Sequence, residues 1–211
     1  MSDVSWDHSI RSFLASAGSA NPTPGGGSVA AVVAALGAAM TSMVGHLSQG
    51  DKYAPIREEV EETLKEMSRL SVEYEALMHA DIASFDGYMA ALRMPKLTGD
   101  DIEKRRTALR EATVRAIEMP LRLIEQCRSG LEQTLRIVEG SNKHVASDLG
   151  IGAILLEAAA QSALLTAEIN FGSLQDEQSK ARYADRASAL MLSIERAKAE
   201  VLNAVRRRMC E

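Results

Sequence analysis

The sequence predicts an all-helical protein, a single bundle of long helices. Hydrophobic residues make up 46% of the 211 residues and aromatic residues only 4%. This composition favours closely packed helices over sheets, which prefer aromatic and β-branched side chains. Two segments, 28–48 and 145–171, are rich in Ala and Gly and carry few charges. Helices that are apolar on every side lie among other elements, so these two are predicted to be buried.

The first three helices follow from apolar spacing and from the turns between them. The helix at 5–17 has apolar residues on one face and is expected to cover the core as an amphipathic lid. The first buried helix, 28–48, follows a glycine-rich loop. A turn then leads to a long helix at 55–92, in which Pro55 suits the first helical turn. Asp81 lies in the apolar stripe of this helix.

The second half of the chain predicts three more helices. One runs over 100–140 and is either kinked or restarted at Pro120. The second buried helix, 145–171, and an amphipathic helix at 176–209 complete the chain. No repeat or linker divides the sequence, so 1–211 is predicted to be one domain. Buried helices of such small side chains need many neighbours, which predicts a homodimer.

Composition and cysteine usage exclude several classes of protein. A formal net charge of −5 argues against nucleic-acid binding. Cys127 and Cys210 stand far apart, which indicates no disulfide framework and favours a cytoplasmic location. The four histidines lack ligand spacing, so no metal site is predicted. The uncharged stretch 25–50 is long enough to span a membrane, but its small residues favour a buried helix, and neither membrane association nor a secretion signal is expected.

The run Pro22-Thr23-Pro24-Gly25-Gly26-Gly27-Ser28 leads directly into the first buried helix. Its three glycines permit backbone angles that are closed to other residues, and Ser28 suits the N-cap. A helix N-terminus carries unpaired N–H donors and partial positive charge. The loop is therefore predicted to hold an anion, a carbonyl or an electron-rich ring edge, with a plain turn as the alternative.

Polar side chains occur where apolar ones are expected. A lone carboxylate on a buried face is costly unless it is paired or protonated, so Asp81 serves either a core hydrogen bond or proton transfer. Asp148 lies in the first turn of the second buried helix, where capping and the helix dipole offer a structural alternative. Asn170 faces inward on that helix, with an interhelical hydrogen bond as its alternative. His144 lies in a polar loop.

Together these features resemble the folate cyclodeaminase and cyclohydrolase family over nearly the whole chain. The resemblance rests on the glycine-rich loop with its Ala-rich helix and on an ordered series of later residues: Met43-Val44, Lys52-Tyr53, Asp81, Phe85, Pro95, Met119-Pro120-Leu121, Asn142, Ser147-Asp148 and Asn170. Three positions depart from the family pattern, Asp51, His144 and Thr166. The resemblance implies a helical dimer with a folate site.

The resemblance also implies roles for the residues at this site. Asp81 would stabilise the amidinium cation of methenyltetrahydrofolate and take a proton from attacking water, while Asp148 would protonate a leaving nitrogen or support a loop. The implied substrate contacts are Pro24, Gly25, Gly26, Gly27, Ser28, Lys52, Tyr53, Asn142, Lys143, His144 and Asn170. No cofactor beyond the tetrahydrofolate substrate is implied.

Two reactions and one non-catalytic role are compatible with this resemblance. Hydrolysis of 5,10-methenyltetrahydrofolate to 10-formyltetrahydrofolate is favoured, because no formiminotransferase domain accompanies the sequence. The alternative is formimidoyltetrahydrofolate cyclodeaminase activity, in which ring closure releases ammonia. A further alternative is a helical folate-binding or scaffold protein without turnover.

Overall fold

The computed structural model describes residues 5–174 and 176–210, so residues 1–4, 175 and 211 of the predicted 1–211 domain lie outside it. Every regular element in the described ranges is a helix, which confirms the predicted fold class. The α-helices are α1 (Ile10–Ala17), α2 (Gly26–His46), α3 (Arg57–Leu92), α4 (Gly99–Ile137), α5 (Ala146–Phe171) and α6 (Glu177–Met209). Short 3₁₀ helices occupy Asp51–Ile56 and Lys143–Val145.

Helices α2 to α6 run alternately up and down, and α5 packs against α2, α4 and α6. Contacts between paired helices show the alternation. Ser28 near the start of α2 meets Asp81 in the second half of α3, and Gly150 near the start of α5 lies beside Val205 near the end of α6. One end of the bundle therefore holds the start of α2 and the ends of α3 and α5, and we call it the Asp81 end. The opposite end holds the end of α2, the start of α5 and both 3₁₀ helices, and we call it the Asn142 end.

The contact between α2 and α5 depends on glycine. A Cβ atom added at Gly152 would lie 2.9 Å from the carbonyl oxygen of Gly37, and one added at Gly37 would lie 2.8 Å from Leu156 Cγ. Real Cβ atoms do not approach other atoms this closely, so the two backbones meet only because side chains are absent. This contact confirms that the two Ala/Gly-rich helices pack closely, as their composition predicts.

The prediction that these two helices are buried on every side is wrong. Leu36 on α2 is 52% exposed, and Leu165 and Ile169 on α5 are 68% and 78% exposed. Both helices sit on one flank of the bundle, where a single chain supplies no further helix over their outer faces. Gly26–His46 and Lys143–Phe171 are long and apolar enough to cross a membrane, but about half of each is buried within the bundle, as is common for core helices.

Two other elements differ from their predictions. Helix α1 begins at Ile10, after the N-cap Ser9, rather than at residue 5. Its Ile10 and Leu14 are 79% and 63% exposed, so it covers the core only through partly buried Phe13. Helix α4 continues through Pro120, which is buried inside it, so the predicted restart at that residue does not occur.

Candidate functional site

The carboxylate of Asp81 lies against the first turn of α2. Ser28 Oγ donates a hydrogen bond of 2.8 Å to Asp81 Oδ2, and the backbone N–H of Ser28 also bonds the carboxylate. The N-cap of α2 is Gly25 rather than the predicted Ser28, because the helix begins two residues earlier than expected. The helix N-terminus that was predicted to hold an external anion therefore holds a carboxylate of the chain itself.

The glycines of the loop are needed for space rather than for unusual backbone angles. Gly50 is the one residue with a positive φ within 5–174 and 176–210, so the loop glycines do not use the left-handed angles that glycine permits. A Cβ atom added at Gly27 would lie 2.2 Å from Asp81 Oδ1, well inside contact distance. At Gly26 the nearest atom would be Thr166 Oγ1, at 3.8 Å. Only Gly27 is sterically required by the Asp81 carboxylate.

Burial raises the pKa of the Asp81 carboxyl above its ordinary value of 3.8. The hydroxyl and backbone N–H of Ser28 act in the opposite direction, because both stabilise the charged form. The net effect is a raised pKa, so the carboxyl gains and loses its proton at a pH closer to neutrality, as general acids and bases require. A carboxylate in this setting can attract a cation and exchange a proton with a neighbouring atom.

Asn170, near the end of α5, belongs to the same end of the bundle. Its Nδ2 donates to the carbonyl oxygens of Thr166, at 2.8 Å, and Ala116, at 3.4 Å, which provides the predicted interhelical hydrogen bond. Thr166 is the residue nearest to Gly26 across the α2–α5 contact. Thr166 is one of the three departures from the family pattern, and its spacing of four from Asn170 places both residues on one helical face.

Asn142 ties the opposite end of α2 to the loop before α5. Its Nδ2 donates to the carbonyl oxygen of Leu47, its backbone N–H donates to Ser48 Oγ, and its Oδ1 accepts from the backbone N–H of His144. Both polar atoms of the Asn142 side chain are therefore engaged in holding the chain. These hydrogen bonds indicate a structural role for Asn142 rather than the binding of a ligand.

The remaining predicted residues also lie at the Asn142 end. Lys143 and His144 are exposed, and Lys52 Nζ lies 5.4 Å from the ring centroid of Tyr53. Tyr53 lines a depression of about 220 Å³ between the end of α2 and the start of α3. Asp148 lies in the first turn of α5. A second depression, of about 300 Å³, is lined by residues of α4 and α6 and contains none of the predicted site residues.

One chain does not bring the predicted residues into a single pocket. Asp148 and Asn170 are separated by about 33 Å along α5, at 1.5 Å per residue. The structure places the glycine-rich loop, Asp81 and Asn170 together at one end, while the Lys52-Tyr53 pair and residues 142–144 lie with Asp148 at the other. Across the described ranges, no three His, Cys, Asp or Glu side chains are grouped as metal ligands would be.

The fold and the Asp81 end define an all-helical bundle that holds a desolvated carboxylate against a glycine-rich helix start. The chain belongs to the formiminotransferase-cyclodeaminase family, because residues 9–189 match the family described as Formiminotransferase-cyclodeaminase. The match confirms the resemblance drawn from the glycine-rich loop and the polar residues after it.

Two relatives are similar to this chain over most of its length. A methenyltetrahydrofolate cyclohydrolase from Methylorubrum extorquens is 32% identical over 171 residues, covering 81% of this chain and 82% of that protein. A formimidoyltransferase-cyclodeaminase from Rattus norvegicus is 30% identical over 203 residues, covering 96% of this chain. This chain spans only 38% of the rat protein.

A solved structure supports the architecture. The formiminotetrahydrofolate cyclodeaminase from Thermotoga maritima superposes with a TM-score of 0.85, covering 95% of this chain and 96% of that chain at 23% identity. This likeness independently confirms the helical fold.

Proposed function

We propose that this chain is a folate one-carbon enzyme that hydrolyses 5,10-methenyltetrahydrofolate to 10-formyltetrahydrofolate. The observation that carries the proposal is the Asp81 carboxylate, which is partly buried against the start of α2 and has a raised pKa. The Methylorubrum relative, named for this hydrolysis, matches most of both chains and supports it. We propose that the chain acts as one domain, in the cytoplasm, with tetrahydrofolate as substrate and no further cofactor.

Asp81 acts on the cationic bridge carbon of the substrate. Its carboxylate stabilises the amidinium charge and accepts a proton from water as the water oxygen bonds to that carbon. The resulting tetrahedral intermediate opens by cleavage of its bond to N5, which takes up a proton, and the formyl group stays on N10. Ser28 holds the carboxylate in place through its hydroxyl and backbone N–H.

The other residues serve binding. Asn170 Oδ1 lies at the Asp81 end and accepts from the pterin ring, while its Nδ2 stays on the backbone of α4 and α5. Lys52 and Lys143 provide positive charge for the glutamate tail, and Asp148 either protonates a leaving nitrogen or supports the loop beside it. We further propose that the active form is a homodimer, because one chain holds Asp81 and the two lysines at opposite ends of the bundle.

Formimidoyltetrahydrofolate cyclodeaminase activity is the second candidate, favoured by the names of the rat and Thermotoga relatives. In that reaction N10 attacks the formimino carbon on N5, and ammonia leaves from a tetrahedral intermediate. The leaving nitrogen needs a proton, which the protonated form of Asp81 supplies. A raised pKa at Asp81 suits this donor role as well as the role of base.

Two assays on the purified protein test these proposals. Loss of the methenyl absorbance on mixing with 5,10-methenyltetrahydrofolate supports the hydrolase, and ammonia release from formimidoyltetrahydrofolate supports the cyclodeaminase. Folate binding without either turnover supports the non-catalytic alternative. Absence of binding and of both turnovers contradicts a folate function altogether.

A further inference from the structure

The inner face of α3 continues beyond the part that the core covers. Tyr74 and Met78 on this face are 0% and 1% exposed. Phe85 and Leu92 follow Met78 at two and four helical turns, so they lie on the same face, but they are 36% and 37% exposed. The face is therefore closed up to Asp81 and open after it. We call the part from Phe85 to Leu92 the open face of α3.

The cover ends at this point because α2 begins at the level of Asp81. Ser28 of α2 donates to the Asp81 carboxylate at 2.8 Å, and the helix starts at Gly26. The two helices are antiparallel and rise about 1.5 Å per residue. Helix α2 therefore extends about 3 Å past Ser28, while Phe85 lies about 6 Å past Asp81. The helix that covers Asp81 stops short of the Phe85 ring.

Phe85 differs from the other phenylalanines of the chain. There are three, all within the described residues, and Phe13 and Phe171 pack against the hydrophobic core, whereas Phe85 does not. A single exposed apolar side chain is common and needs no ligand to explain it. The position of Phe85 is more informative, because it follows Asp81 by one helical turn on the same side of α3. A molecule held at the carboxylate therefore also meets an aromatic ring.

The carboxylate and the ring together suit a cation that is joined to a flat ring. Asp81 attracts positive charge, and the face of an aromatic side chain stacks on flat heterocycles. In 5,10-methenyltetrahydrofolate the cationic bridge carbon is bonded to N5 of the pterin, whose pyrimidine ring is flat. With the bridge carbon at Asp81, the pterin can reach Phe85, about 6 Å away along α3. Asn170, at the same end of the bundle, remains for the polar edge of the pterin.

We propose that Phe85 is a specificity-determining residue, whose ring stacks on the pterin of the substrate while Asp81 meets the bridge carbon. This assignment rests on the proposed function, since it takes a folate as the ligand of the Asp81 end. The aminobenzoyl group is bonded to N10, on the far side of the bridge carbon, so it extends away from Phe85. The open face thus selects for the pterin and not for the rest of the folate.

Steady-state kinetics on the folate that the wild-type protein turns over test this contact. Phe85→Ala is expected to raise KM about tenfold, the weakening that loss of one stacked ring produces. Its kcat should stay nearly unchanged, because Phe85 does not touch the reacting atoms. Phe85→Tyr keeps the ring and should keep the wild-type KM. Phe85→Leu keeps only the apolar bulk and should resemble Phe85→Ala.

Leu92→Ala is the matched control. Leu92 lies on the same face with almost the same exposure, but about 10 Å beyond Phe85, so this variant should keep the wild-type KM. Circular dichroism and urea unfolding of each variant confirm that the fold is intact. A Phe85→Ala variant with the KM of the control overturns the proposal. So does one that loses kcat while its KM stays unchanged.

Fragments of the substrate identify the ring that Phe85 contacts. A tetrahydropterin without the aminobenzoylglutamate group is expected to inhibit the wild-type protein competitively. Its inhibition constant should rise in Phe85→Ala as KM does, while p-aminobenzoylglutamate should act equally on both proteins. No inhibition by the tetrahydropterin, or a rise confined to p-aminobenzoylglutamate, overturns the pterin contact.

Sedimentation velocity distinguishes the pterin from a protein surface as the occupant of the open face. Phe85→Ala and Leu92→Ala are expected to sediment like the wild-type protein, because a substrate contact does not hold chains together. A changed sedimentation coefficient in Phe85→Ala shows that protein covers the ring, and it overturns the stacking.

Failure of the proposed function has a different signature. A wild-type protein that neither binds tetrahydrofolate in titration calorimetry nor turns over either folate contradicts the proposed function, and the role of Phe85 with it. If the wild type binds tetrahydrofolate without turnover, calorimetry measures the expected tenfold weakening in Phe85→Ala instead of KM. Wild-type turnover with an unaffected Phe85→Ala variant contradicts the role of Phe85 alone.

Discussion

The two ends of the bundle use their polar side chains in different ways. At the Asp81 end a carboxylate is desolvated, and the buried hydroxyl of Ser84, one turn further along α3, has no hydrogen-bond partner among the described residues. At the Asn142 end, both polar atoms of Asn142 are engaged, and the buried Arg208 guanidinium donates to carbonyl oxygens of Val138 and Ser141. Polar groups with free hydrogen-bonding capacity can act on a substrate, whereas polar groups whose hydrogen bonds are all made maintain the local structure.

Among substitutions that test this difference, the largest effect on turnover is expected when Asp81 is changed. Asp81→Asn keeps the shape and the contact with Ser28 but removes the proton acceptor, so kcat is expected to fall about 10²–10⁴-fold. Steady-state kinetics at saturating folate measure this loss. Asp148→Asn provides the comparison at the other end and is expected to cost less. Unchanged turnover in Asp81→Asn removes Asp81 from the mechanism.

The same substitution is expected to stabilise the fold at neutral pH. Because burial raises the native pKa of Asp81 above 3.8, the native state binds more protons than the unfolded state between 3.8 and that raised value. The contribution of Asp81 to the free energy of unfolding of the wild-type protein therefore decreases as the pH rises through that window. Above the window, the full cost of holding the charged carboxylate in its partly buried position is present. Asp81→Asn lacks this dependence, as urea unfolding across the window will show.

The next largest effect is expected at Gly27. Gly27→Ala places a methyl group where Asp81 Oδ1 lies, so the carboxylate must move. A displacement of about 1 Å in a catalytic group costs about 10²-fold in rate. Gly26→Ala is the matched control, since its methyl group would find ordinary contact distances. Equal kinetics for the two variants would show that the loop is only a turn.

At the Asn142 end the effect is expected on stability rather than on chemistry. Arg208→Met removes charged hydrogen bonds to the carbonyls of Val138 and Ser141, and leaves those carbonyls unpaired. We expect a loss of about 2 kcal/mol in the free energy of unfolding, measured by urea denaturation. Arg206→Met, at an exposed position of the same helix, is expected to change it by less than about 0.5 kcal/mol. Equal losses contradict the anchoring role.

The sequence predicts the helices better than it predicts their surroundings. Apolar periodicity and glycine breaks are local signals, so α2 and α5 could be placed within one or two residues. Which face of α2 stays uncovered depends on how many helices one chain supplies, and a single chain carries no local signal for this. The steric need for Gly27 has no local signal in the sequence, because its cause, the approach of Asp81, joins residues far apart in sequence.

The smallest expected effect distinguishes the two reactions at the Asp81 end. Ser28→Ala removes a hydroxyl that stabilises the Asp81 carboxylate, so the pKa of Asp81 rises further. If the carboxylate is the base of the hydrolase, the acid limb of kcat/KM moves to higher pH. If protonated Asp81 is the acid of the cyclodeaminase, the basic limb moves to higher pH instead. A profile that moves to lower pH contradicts both roles, because losing a donor to a carboxylate cannot lower its pKa.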